Sequence, residues 1–137
     1  MKLKLAFAAA AALAFTFSTP TMAQQSGKAT VSLYRAAPGH QIELLKWLAQ
    51  QDRIAAAAGL APGQLYAHTD GDSWDYMAID PVTTPAQDAA VEAAAAKMGM
   101  ATGPASNLEF RKYISMHTDT FTIGPVTAQQ YLAMAGQ

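Results

Sequence analysis

His68 and His117 are the side chains of this sequence best suited to chemistry. An imidazole titrates near working pH, so either can serve as a general base or acid. Asp119 follows His117 at i+2, a spacing that puts both side chains on one face of a strand. Two imidazoles and a carboxylate are also the ligand set of a facial iron or zinc centre. Around them lie large amphipathic rings, Tyr34, Tyr66, Trp74, Tyr76 and Tyr113, each with an apolar body and a polar tip able to orient a small apolar or aromatic molecule. His68 and His117 are therefore the candidate catalytic residues, and the five rings are the candidate substrate-binding ones. Asp70, Asp72 and Asp75 gather carboxylates, but their spacing does not match a calcium-binding loop, and turn geometry explains Asp70-Gly71. The chain has no cysteine, which removes disulfides, thiolate metal sites and thiol nucleophiles together. It carries no glycine-rich phosphate loop, nucleophile elbow or metalloprotease motif.

The elements that must position these groups can be read from periodicity. Ala29 to Arg35 alternates with the period of a half-buried strand. Pro38-Gly39 breaks it, and His40 to Ala58 is rich in helix formers, with Leu44, Leu45, Leu48 and Ala55 on one side and Gly59 placed to cap the end. Gln64 to Thr69 and Ser73 to Ile79 alternate on either side of Asp70-Gly71, the signal for a tight hairpin. Thr84-Pro85-Ala86-Gln87 is a helix start, with Pro at the first position and a capping pair, and predicts a second helix from Pro85 to about Met98. Gly99 to Asn107 reads as a loop, Phe110 to Phe121 as a fourth strand, and Thr127 as the cap of a short last helix. The expected class is α+β, a ferredoxin-like βαββαβ order with a four-stranded antiparallel sheet, two helices on one face and a terminal helix.

Parity divides the sheet into two layers. Val31, Leu33, Leu65, Ala67, Met77, Ile79, Ile114 and Met116 are the expected partners of the helices. The opposite parity collects Ser32, Tyr34, Tyr66, His68, Trp74, Tyr76, Tyr113, Ser115, His117 and Asp119, a ring-rich surface that something must cover. A bulge near Ser115 would flip His117 and Asp119 to the other side. In a sheet ordered 4-1-3-2, strands two and four are the edges, roughly 14 Å apart at about 4.8 Å per spacing. His68 and His117 of one subunit then share no metal; they could meet only where strand four of one subunit lies near strand two of a partner, and no metal site is expected.

Lys2 and Lys4, the uncharged run from Leu5 to Phe17 and the small polar stretch ending at Ala23 read as a cleavable secretory signal, 1–23. The run is shorter than the roughly 20 residues needed to span a bilayer. The expectation is a periplasmic or secreted protein with no anchor after cleavage, a loose leader over 24–28 and a single domain over 29–137. Of 9 basic and 10 acidic residues, 7 and 10 would remain. That balance offers no footprint for nucleic acid.

The βαββαβ order, the small size and the ring-bearing sheet face resemble the dimeric α/β-barrel superfamily, which includes antibiotic-biosynthesis-type monooxygenases. The resemblance covers 29–123 and implies a homodimer whose sheets meet face to face, each enclosing a pocket. Its cofactor-free oxygenases need only a pocket that binds an oxidisable aromatic molecule and helps to deprotonate it. Its haem-degrading members have a strand Trp, matched by Trp74, but also an Asn on strand one and a His on helix two. Here strand one carries Ser32 and Tyr34, and no His lies between Thr84 and Gly99. Haem is thus the one cofactor the resemblance brings in, and these departures speak against it. The expected function is binding of a small apolar or aromatic molecule, with cofactor-free oxygenation as its enzymatic form. The alternative is a non-enzymatic interaction module whose rings form a dry dimer interface.

Overall fold

The structure is a computed structural model that describes residues 27–137. The expected signal segment and residues 24–26 of the leader lie outside the described residues. The elements are β1 (Gly27–Ala36), α1 (Gln41–Ala57), β2 (Gln64–Ala67), β3 (Tyr76–Pro81), α2 (Pro85–Lys97), α3 (Gly103–Arg111), β4 (Ile114–Gly124) and α4 (Ala128–Met134). The class is α+β, with one antiparallel sheet ordered β2-β3-β1-β4. No helix among the described residues is long and apolar enough to cross a membrane.

Four boundaries differ from those read in the sequence. β1 begins at Gly27, so Lys28, expected in the leader, is a strand residue paired with Ile123. Residues expected to form a tight Asp70-Gly71 hairpin instead make a longer connection, because the ladder between β2 and β3 ends at Ala67 and Tyr76. Polar groups fasten that loop to the end of β1: Asp75 Oδ2 accepts the Ala36 N–H at 2.7 Å, and the Arg35 guanidinium donates to Ser73. Trp74 therefore sits in the loop. The expected loop after α2 contains α3, which opens with Gly103-Pro104 and continues through Phe110, so Tyr113 precedes β4 instead of standing in it. Pro at an early helical position costs no hydrogen bond, which is why this helix can start there.

The faces of the sheet are reversed from the expectation. Leu44 and Leu48 of α1 pack with Tyr34, Ala36 and Ala78, and Trp47, Tyr76, Phe110, Tyr113 and Ile114 close around them. Tyr34 is only 8 % exposed. The ring-bearing parity of β1 and β3 thus lies beneath the helix, not against a partner. Cross-strand pairing carries Tyr66 the other way: it opposes Met77, which opposes Leu33, so Tyr66 belongs to the open face. Leu65 and Ala67 correspondingly join the covered face. A register shift pairs Arg35 with Met116 but Ala36 with Ile114, leaving Ser115 as a bulged residue. The bulge brings Ile114 onto the covered side while His117 and Asp119 remain opposite Tyr34 and Ser32. α2 packs on α1 through Ile54, Ala94 and Ala95, where alanine lets the two helices approach closely.

Two substitutions test this arrangement. Leu44 is fully buried, so Leu44→Ala should cost about 2–5 kcal/mol in urea unfolding. Thr84 forms a complete capping box with Gln87 at the start of α2, and Thr84→Ala should cost about 1 kcal/mol. Equal, negligible losses for both would contradict the packing described.

Candidate functional site

Alternation along β1 sends Ser32 and Tyr34 to the covered face, and antiparallel pairing sets Asp119 and His117 directly across from them. Ser32 is 5 % exposed, and its hydroxyl donates to Asp119 Oδ1 at 2.6 Å. His117 Nε2 lies 2.9 Å from the same oxygen. The His117 ring stacks on Tyr34 with centroids 4.9 Å apart and 11° between planes, and Phe110 meets both rings edge-on. Trp47 of α1 stacks on Phe110 at 4.4 Å. The result is a continuous aromatic layer with one carboxylate holding a serine and a histidine at its edge.

Beside this layer, between α1 and the sheet, lies a cavity of about 370 Å³. Tyr34, Trp47, Leu48, Leu65 and Ala78 supply its apolar wall, and Gln51, Asp52, Asp80 and Gln87 its polar one. Asp80 belongs to the covered parity of β3 and opposes Thr30 of β1. Its carboxylate lies over Gly63, where an added Cβ would fall 1.9 Å from Oδ1. Only glycine at 63 leaves room for it. Burial, reinforced by the nearby Asp52 charge, holds the Asp80 carboxyl above its ordinary pKa. Burial also raises the Tyr34 phenol; the hydrogen bond with Ser32 opposes this, and Asp80, Asp119 and Asp52 add to it. Tyr34 therefore faces the cavity as a neutral phenol.

The structure brings together only some of the residues singled out in the sequence. Tyr34 lines the cavity, and His117 stacks on its ring without reaching the cavity wall. Tyr76 is on the same sheet face, but its hydroxyl donates to the Gln41 carbonyl at 3.3 Å and ties β3 to the start of α1. Tyr113 donates to Glu109, within its own turn of chain. Tyr66 stands on the open face, 45 % exposed, and donates to Gln64 at 2.8 Å. His68 and Trp74 form a separate pair near the loop, with centroids 4.9 Å apart, and His68 Nε2 is buried without a hydrogen-bond partner. His68 thus sits in a cleft with Arg35, Asp72 and Trp74, away from the cavity beneath α1. Among the described residues no group of three or more His, Cys, Asp or Glu is placed to hold a metal ion.

Sequence reasoning missed Asp80 and Asp52. Asp80 carried a usable signal, since it shares parity with Tyr76 and Ala78 at the end of β3. Asp52 is exposed on α1, four residues after Leu48, and only the fold shows that this turn overhangs the cavity. No family model, curated protein or solved structure matches the chain.

The raised Asp80 pKa fixes the sign of a pH effect. The folded state binds the Asp80 proton more tightly than the unfolded chain does, so this contribution is fully present below the unfolded carboxyl pKa and is lost as pH rises through the folded value. At neutral pH, Asp80→Asn should therefore raise the melting temperature, and the advantage should shrink towards pH 3. An Asp80→Asn variant less stable than the parent at pH 7 would refute this. Gly63→Ala should destabilise the protein, because the added methyl overlaps the Asp80 carboxylate, and should do so less in an Asp80→Ala background.

Proposed function

We propose that this chain is the subunit of an exported homodimer that binds one small, largely apolar or aromatic molecule per protomer in the cavity beneath α1. The cavity itself carries the reading: about 370 Å³ of space walled by Tyr34, Trp47, Leu48 and Leu65, with a few polar groups at one side. That combination of an apolar enclosure and sparse polar groups is the usual make-up of a small-molecule site. Export rests on the amino-terminal charge and hydropathy pattern. A ferredoxin-like, dimeric α/β-barrel relationship is supported by the βαββ order, by the sheet order β2-β3-β1-β4 and by α1 on one sheet face.

The dimer surface proposed is the open sheet face, the parity expected from alternation alone to meet the helices. It presents Val31, Leu33, Met77, Ile79 and Met116, with Thr118, Thr120 and Thr122 along β4. Arg35, at one end, is the one side chain of this face within the strands that is charged at neutral pH. A flat, nearly uncharged sheet face is self-complementary and suits a two-fold contact with a second copy.

A cofactor-free oxygenase is the second reading, favoured by the grip of Asp119 on both His117 and Ser32. In it Tyr34 orients the substrate, and His117, held by Asp119 and stacked on Tyr34, is the imidazole that takes the substrate's proton. Binding is preferred to catalysis because neither His68 nor His117 lines the cavity. The same fact deprives haem of both imidazole ligands there.

Calorimetric titration with 2-naphthalenemethanol, a neutral aromatic probe, tests the binding reading. The parent protein should bind it, and Ala55→Trp, which places an indole in the cavity mouth from α1, should abolish binding. Undiminished binding by Ala55→Trp would place the probe elsewhere. For the dimer, Leu33→Asp puts a charge at the centre of the open face and should yield monomers in light scattering after size exclusion. A variant that keeps the parent's dimeric mass would exclude this face.

A further inference from the structure

We infer that the cavity takes a small organic cation, an apolar or aromatic body bearing a protonated amine that sits against Asp80 and Asp52. The inference rests on the reading of this cavity as a ligand site and names the chemistry of the ligand. Asp80 and Asp52 are its charged lining residues, and no Lys, Arg or His accompanies them. A carboxylate-bearing ligand would meet two like charges and no cation to offset them. An amine would meet two opposite charges in a partly desolvated recess, where attraction is stronger than in bulk water.

The rest of the wall matches the same occupant. Tyr34 and Trp47 line the cavity with aromatic surface suited to an apolar body. Gln51 adds an amide oxygen that accepts a remaining N–H of an ammonium. The seating of Asp80 against Gly63 is equally informative. The backbone gives up a side chain at 63 so that a carboxylate can stay on a covered sheet face, where its charged form is disfavoured. A carboxylate with a raised pKa in a cleft is the kind of group found at binding sites. A cation in the cavity removes that cost, because it stabilises the ionised Asp80.

Three probes of one shape decide the matter: 2-naphthylmethylamine, 2-naphthalenemethanol and 2-naphthoate, titrated calorimetrically into the full mature protein at pH 7. The ammonium should bind at least tenfold more tightly than the alcohol, and the carboxylate more weakly than either. Asp80→Asn should lower ammonium affinity to that of the alcohol for the same variant, and Asp52→Asn should reduce the preference in part. Raising the salt concentration should narrow the gap between ammonium and alcohol. Equal affinity for all three probes, or an ammonium preference that survives Asp80→Asn, would overturn the inference while leaving the cavity a ligand site. Failure of all three to bind would overturn the inference and the binding reading together.

Discussion

The contact on which the rest of the structure depends is the seating of Leu44 and Leu48 of α1 on Tyr34, Ala36 and Ala78 of the sheet. It decides which of two chemically different layers is covered. With α1 on the Tyr34 side, Ser32, Asp80, His117 and Asp119 are drawn under or beside the helix, and the aliphatic residues Val31, Leu33, Met77 and Ile79 are left on the other surface. The cavity exists because this covering is incomplete. α2 packs on the Ile54 side of α1, so the space over Leu65, Ala78 and Asp80 is not filled by side chains.

Placing polar groups on the covered side has a consequence for both stability and function. Ser32 is buried and would be costly without a partner, and Asp119 supplies one by accepting its hydroxyl. Asp119 meets His117 with the same oxygen, so one carboxylate orders the end of the aromatic layer. Asp80 has no such compensation from the cavity wall and sits with Asp52 instead of a cation. The two acidic groups therefore differ in role: Asp119 completes the fold, whereas Asp80 burdens it and marks the place where a ligand charge is wanted.

Most elements were legible because their signals are local. Thr84 and Gln87 form the capping box that their spacing announced, as do Thr127 and Gln130. The four strands and the two main helices follow from periodicity, which needs no knowledge of neighbours. α3 was hidden because Gly103 and Pro104 read as loop residues, although Pro is well tolerated in a first helical turn. The choice of sheet face was not legible for a different reason. Both parities of β1 and β3 carry enough apolar surface to pack a helix, so alternation separates the layers without saying which is inside. Parity with the aliphatic set inside points Tyr34 and Tyr76 outward, yet their rings fit beneath α1 with the hydroxyls directed to polar partners. Parity within its own strand groups Tyr66 with them, whereas its side depends on which residue of β3 it opposes. The grouping of His117 and Asp119 with Ser32 and Tyr34 survives the bulge at Ser115, because that bulge precedes both of them along β4.

The measurement that reaches the central claim most directly is nuclear Overhauser spectroscopy on protein with labelled leucine and alanine methyl groups. Cross-peaks should join the Leu44 and Leu48 methyls to the Tyr34 ring and the Ala78 methyl. Cross-peaks from those leucines to Leu33 and Met77, with none to Tyr34, would put α1 on the other face and remove the cavity.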